Sequence, residues 1–282
     1  MPPRSNPTAR QERLGAELRK LREQAGITAR DAASLLGSNP IQMSHVEAGR
    51  SGISEKRIRR LAAHYACDDA ELVEALVAMA NERHKGWWEA YRGLLPAHAL
   101  DLAEAEHHAK HLRALEVVHI PGLFQIEDHI RASVSYVDPT APPEDLEARI
   151  AFRVRRREVI ERDGGTGIDA MVHEAALRIR VGGRKTARRQ LEYLLELSQL
   201  PRISVRVIPF ETDFAGAGHS VHYLAGAVEQ LDTAHVDTAH GGTLLDASAQ
   251  VRRCRARLDR AESCALPVPA SRDLVHRIAQ EL

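Results

Sequence analysis

The chain has 282 residues, a length that suits two compact domains better than one. It is 44% hydrophobic, 28% charged and 4% aromatic, which excludes a disordered or fibrous chain, and its longest clean apolar stretch, 72–80, is interrupted by Glu74 and falls far short of the ~20 residues that span a bilayer. The formal net charge of zero conceals a surplus of +6 over residues 1–66, where 12 Lys and Arg stand against 6 Asp and Glu, balanced by −6 over the remainder. A basic segment joined to a larger acidic one suggests a polyanion-binding module with a regulatory or partner-binding domain behind it.

Leucines at Leu14, Leu18 and Leu21 form an i, i+4, i+7 stripe and predict an amphipathic helix over 11–24 that stops near Gly26. Thr28 caps a short helix reaching Leu36, with Ala32 and Ala33 on its inner face and Gly37 ending it. Asn39 offers a side-chain cap and Pro40 suits a first helical turn, so a third helix runs over 41–48 up to Gly49. Ser54 caps a fourth, whose Ile58, Leu61, Ala62 and Tyr65 share one face, and 70–80 supplies a fifth.

The second and third helices, with their tight turn, resemble the helix-turn-helix of the Xre or phage-repressor family. The residues that carry the likeness are Ile27-Thr28-Ala29-Arg30-Asp31-Ala32-Ala33 and Gly37-Ser38-Asn39-Pro40-Ile41-Gln42-Met43-Ser44-His45-Val46-Glu47-Ala48-Gly49-Arg50. Met43 and Val46 should face inward, which turns Ile41, Gln42 and His45 outward near the helix N-terminus, where base contacts are made. Pro40 and Ile41 stand where the family usually has polar residues. Ile41 can touch a thymine methyl, Gln42 can read adenine and His45 can donate to guanine. The expected DNA-binding set is Thr28, Arg30, Asn39, Pro40, Ile41, Gln42, His45 and Arg50, with Arg30 and Arg50 at phosphates. The resemblance further implies an ion pair between Arg22 and Glu47 that ties the first helix to the third.

Beyond residue 80, Trp87, Trp88 and Tyr91 suit either a wedge between two domains or an anchor at the start of a helix. A helix is expected over 100–116, broken at Pro121-Gly122, and another over 143–162 with Leu146, Ile150, Val154 and Ile160 buried. After the loop Asp163-Gly164-Gly165-Thr166-Gly167 the pattern reads strand (168–172), helix (174–180), helix (185–197) and strand (203–208). Strands follow over 221–224 and 235–245, then helices over 247–258 and 271–282. The expected class is α+β, or mixed: a five-helix Xre-type helix-turn-helix domain over 1–80, then a larger α/β regulatory domain over 81–282.

Several segments here resemble the C-terminal domain of unknown function that follows this helix-turn-helix in many regulators of high-GC Gram-positive bacteria. They include Ile120-Pro121-Gly122-Leu123-Phe124-Gln125-Ile126-Glu127-Asp128, the run Arg153–Arg157, His173–Arg178 continuing to Gly183, and Ile203–Phe210. The likeness implies a transcriptional regulator encoded beside a small partner protein, an antitoxin-like arrangement, with no enzymatic activity. Its second domain would sense that partner or a ligand.

Isolated motifs add little chemistry. His107 and His111 have the one-turn spacing by which a helix presents two imidazoles to zinc, but a third ligand is not evident and a solvated polar face suits them as well. His173-Glu174-Ala-Ala-Leu177 lacks the second His of HExxH, and Gly164-Gly165-Thr166-Gly167 lacks the Lys-Ser/Thr of a phosphate loop. The run Arg153–Arg157 suits a helix face of solvated or paired arginines, or a second DNA site. Ser220 beside His219 sits in no GxSxG elbow. Cys67, Cys254 and Cys264 have no CxxC spacing and read as reduced thiols. The N-terminal residues contain no apolar core that a secretory signal could use, which predicts a cytoplasmic, nucleoid-associated protein. No catalytic residue, metal or cofactor is expected. The expected partners are double-stranded DNA, a small protein encoded nearby and a second copy of the chain. The alternative is an enzyme or metal-binding protein with an accessory helical module.

Overall fold

A computed structural model describes residues 4–82, 85–162, 164–216, 219–238 and 241–282. The chain divides into two compact units, Met1–Trp87 with Ala227–Gln230, and Trp88–Gly226 with Leu231–Leu282. Among the described residues no helix is long and apolar enough to cross a membrane.

The first unit holds helices α1 (Ala9–Gln24), α2 (Ala29–Leu35), α3 (Pro40–Glu47), α4 (Glu55–His64) and α5 (Ala70–Asn81). Side-chain caps start four of them, Thr8, Thr28, Asn39 and Asp69, and Thr8 with Gln11 closes a reciprocal capping box. Leu18, Met43, Ile58, Leu61 and Leu76 are fully buried and form the centre of the bundle, while Leu14 and Leu21 of the leucine stripe are only half-buried.

The second unit starts at Trp88, within a 3-10 turn over Trp87–Tyr91, and Trp88 is buried with its ring 5.0 Å from that of His107. There follow α6 (Ala97–His108), β1 (His111–Glu116), α7 (Glu127–Val137), α8 (Pro143–Arg155), α9 (Glu158–Glu161), β2 (Gly167–His173), α10 (Glu174–Arg178), α11 (Gly183–Leu197) and β3 (Ile203–Ile208). The chain continues through β4 (Val221–Ala225), β5 (Thr233–Thr238), β6 (Gly241–Leu245), α12 (Ser248–Cys264) and α13 (Val268–Glu281). The six strands make one sheet in the order β3-β2-β1-β4-β5-β6. Pairing is parallel from β1 through β2 to β3 and antiparallel from β1 through β4 and β5 to β6, so β1 is where the sheet changes character.

Alternation along the strands assigns the two faces. Leu112, Ile168, Val172, Val205 and Leu224 share a core with Leu191 and Leu194 of α11 and Val275 and Ile278 of α13. On the other face Leu115, Met171, Ile208 and Val221 pack with Val251 and Leu258 of α12.

Four expectations change here. The predicted helix over 100–116 ends at His108, and His111–Glu116 is instead the central strand of the sheet. Leu, Ala and Glu in this stretch favour a helix locally, but strand pairing on both sides outweighs that preference. The helix over 143–162 is two pieces, separated at Arg156 and Arg157, and at this break the Arg156 guanidinium meets the buried Glu106 with contacts of 2.8 and 2.6 Å. The single strand over 235–245 is a pair, β5 and β6, with Gly241 at φ 115° opening the second. Helix α7 falls where no element was predicted.

Candidate nucleic-acid interface

The geometry around α3 is set by short-range chemistry. At the end of α2, Gly37 adopts φ 61°, its N–H donates to the Ser34 carbonyl (3.0 Å), and the N–H of Ser38 donates to the Ala33 carbonyl (2.9 Å). This is a Schellman closure, and its left-handed residue redirects the chain tightly enough to start a new helix three residues later. Asn39 then accepts from the Gln42 N–H at 2.8 Å, and Pro40 occupies the first turn, where no donor is needed.

Helix α3 buries Met43 and Val46, points Glu47 back toward α1, and turns Pro40, Ile41 and Ser44 to solvent. Ile41 is 68% exposed, an unusual position for a large aliphatic side chain, and Gln42 and His45 beside it are half-buried. Arg30 on α2 and Arg50 just past α3 are exposed and make no ion pair among the described residues. The Thr28 hydroxyl caps α2, accepting from the Asp31 N–H at 3.2 Å and donating to the Asp31 carboxylate at 2.6 Å. Thr28, Asn39 and Pro40 are exposed at the two helix starts.

Two residues join this surface that the sequence patterns did not single out. Ser44 is exposed and lies one turn from Ile41, a spacing that was available in the sequence. Arg4 reaches the end of α3, where its backbone N–H donates to the Arg50 carbonyl (2.8 Å) and its guanidinium to the Gly49 carbonyl (3.1 Å). No local signal announces a contact across 45 residues.

Behind the surface, Arg22 is bidentate to Glu47, at 2.6 and 2.9 Å, and donates a third bond to the Ile27 carbonyl at 2.8 Å. Both side chains are about nine-tenths buried. The hydrogen bond to Glu47 outweighs burial and raises the Arg22 pKa above its usual value. Burial, then the charge of Glu47, pushes Tyr65 up to about 12.

The other motifs have structural partners. His107 ends α6 while His111 lies on β1, where its Nε2 meets Asp169 at 2.8 Å, so the two imidazoles do not share a helix face. No group of three potential metal ligands occurs among the described residues. In the arginine run, Arg155 pairs with Glu158, Arg156 with Glu106, and Arg157 lies over the Tyr193 ring. His173 caps α10 and Glu174 holds Arg178. Ser220 donates to Glu116, which His222 also engages, so its hydroxyl is not presented to a base. Asp163 lies outside the described residues; Thr166 of the same loop is buried and donates to the Ala109 carbonyl.

A capped helix pair with an exposed, base-flanked second helix, followed by a mixed sheet covered by helices, defines a DNA-binding regulator of the helix-turn-helix class. Residues 13–76 match the family described as "Helix-turn-helix domain", and residues 99–277 match "Domain of unknown function (DUF5753)". The second match spans more than half of the chain, and the protein belongs to the DUF5753 family. No curated protein and no solved structure matches it.

Proposed function

We propose that α3 reads duplex DNA in the major groove, with Ile41, Gln42 and His45 at base edges and Arg30 and Arg50 at phosphates. Thr28, Asn39 and Pro40 present the helix starts to the backbone. The observation that carries this reading is the exposed N-terminal face of α3, where Ile41 stands in solvent, together with Arg30 and Arg50, which are exposed and make no ion pair among the described residues. An exposed isoleucine gains little in water but can bury itself on a thymine methyl. The chain acts as a homodimer in the cytoplasm, and its second unit receives a small protein encoded nearby or a ligand and thereby changes DNA occupancy. Support for that last step comes from the family and from the surplus of −6 carried by the chain after residue 66.

Sites mapped across the genome supply the operator for the test. Arg50→Ala should weaken binding to every sequence and lower the slope of log affinity against log salt by about one unit. Gln42→Ala should relax preference at one base pair, with a discrimination loss of about 1–3 kcal/mol there. Two variants with the same sequence profile and the same salt slope would contradict the assignment.

A further inference from the structure

The second unit contains a concavity of about 840 Å³ at the carboxyl end of β1. It opens where the parallel and antiparallel halves of the sheet meet, the position at which α/β sheets commonly take ligands. Its volume lies in the range of small-molecule sites. The floor is polar: Glu116 ends β1, and His222 and His235 face each other in register on β4 and β5. The wall is apolar, formed by Leu102 of α6, Val134 of α7 and Phe152 of α8, and the rim carries the exposed Leu94, Val118 and Val137.

Charges inside the concavity are unevenly matched. Arg149 is paired with Asp138 at 3.0 Å and Arg156 with Glu106 at 2.6 Å. Arg153, one helical turn from each, lines the same space and makes no ion pair among the described residues. Crowding by the walls, and then repulsion from Arg156, hold its pKa below that of an ordinary arginine. One ring nitrogen is also unsatisfied: His235 is 4% exposed and lines the concavity, and while its Nε2 lies 3.9 Å from the Asp237 carboxylate, its Nδ1 has no hydrogen-bond partner. Burial lowers His235 to about 4, so its ring is neutral near pH 7 and offers a hydrogen bond rather than a charge. Gly242 leaves the room this imidazole occupies, since a Cβ there would lie 2.0 Å from Nε2.

From these observations we infer that the concavity is the binding site for a small amphiphilic organic anion, whose acidic group pairs with Arg153 and hydrogen-bonds His235 while its apolar body lies against Leu102, Val134 and Phe152. An anion would give Arg153 the direct ion pair that the more distant Asp237 carboxylate in this concavity does not make, and an apolar body would cover the exposed rim. The inference rests on the reading of the second unit as the part that receives a signal, and gives that signal a chemical class.

The test uses the full chain without DNA, so that its failure and a failure of the α3 assignment are separate results. Titration with 8-anilinonaphthalene-1-sulfonate, followed by fluorescence and calorimetry, should show saturable binding of one molecule per chain. Arg153→Gln should weaken it at least tenfold and Arg153→Glu more, while the uncharged N-phenyl-1-naphthylamine should bind the parent and both variants within twofold. Arg153 makes no ion pair among the described residues, so the variants should keep the parent's melting temperature and near-ultraviolet circular dichroism. Absence of saturable sulfonate binding, several molecules per chain, or folded Arg153 variants that bind the sulfonate as tightly as the parent would overturn the inference.

Discussion

The pair Arg22–Glu47 shows how much one contact can matter and how its loss should be read. A bidentate pair with both groups about nine-tenths out of water is expensive to break from one side, because the remaining charge stays buried. Arg22→Met or Glu47→Leu alone should cost about 3 kcal/mol or more, whereas the double variant should lie within about 1 kcal/mol of the parent. A double-mutant cycle by urea unfolding checks this, and the absence of coupling would refute it. His129 makes a different prediction. It is 4% exposed, and burial, followed by the charge of His119, lowers it from 6.5 to about 4. Its neutral folded ring contributes full stability above pH 6.5. That contribution is lost as pH falls toward 4, since the unfolded chain takes up a proton the folded ring refuses. The loss approaches roughly 3 kcal/mol, and unfolding at pH 7 and pH 5 should show a shallower decline for His129→Leu. His222 works in the opposite sense: burial lowers it, but its bond to Glu116 and that carboxylate's charge prevail and leave it raised. Its contribution is present at low pH and lost as pH rises through the raised value.

At the scale of elements, the position of α3 depends on two glycines that let backbones touch. A Cβ on Gly15 of α1 would lie 2.5 Å from the Glu47 carbonyl, and one on Gly49 would lie 2.7 Å from the backbone of Gln11. Neither obstacle is a side chain that could rotate aside, so Gly15→Ala and Gly49→Ala should each destabilise the first unit by about 1–3 kcal/mol, with strain from φ 71° added at Gly49. Gly37, also left-handed at φ 61° but with nothing within 4 Å, is the control. Gly37→Ala should cost about 1 kcal/mol, from conformation alone. Thermal melts of the three variants rank the effects, and equal losses at Gly37 and Gly15 would argue against close packing as the cause. The same two contacts hold Arg22 opposite Glu47, so displacing α3 should also lower DNA affinity.

For the whole molecule, the size of the reading surface predicts assembly. One eight-residue helix offering three side chains to bases cannot readily supply the ~4–10 kcal/mol by which specific binding exceeds nonspecific binding. Two copies double the contacts and fix two half-sites about one helical turn apart, or a multiple of it. Sedimentation of the free protein should therefore give twice the 31.2 kDa chain mass, and a footprint should show two protected half-sites. A monomer protecting a single half-site would end this expectation.

The helix-turn-helix unit was legible in the sequence because its determinants are local. Thr28 and Asn39 bond to backbone three residues on, Gly37 and Gly49 sit where the chain must turn left-handed, and Met43 and Val46 repeat with the helix period. Most strands of the second unit were legible for the same reason, as short β-branched runs between turns. The segment 100–116 was not, since its composition favours a helix throughout and only pairing with β2 and β4 makes His111–Glu116 a strand. The same non-local decision pulled His111 away from His107. It also placed Glu116 at the floor of a concavity whose other sides come from α6, α7, α8 and the β4–β6 hairpins. The amino-acid sequence by itself determined the capped helices, their order and the charge asymmetry, because each depends on residues within a few positions of one another. Only the tertiary structure decided that Arg156 of the run Arg153–Arg157 finds the buried Glu106 while Arg153 lines the concavity with no ion pair among the described residues, because each depends on groups that approach from distant parts of the chain.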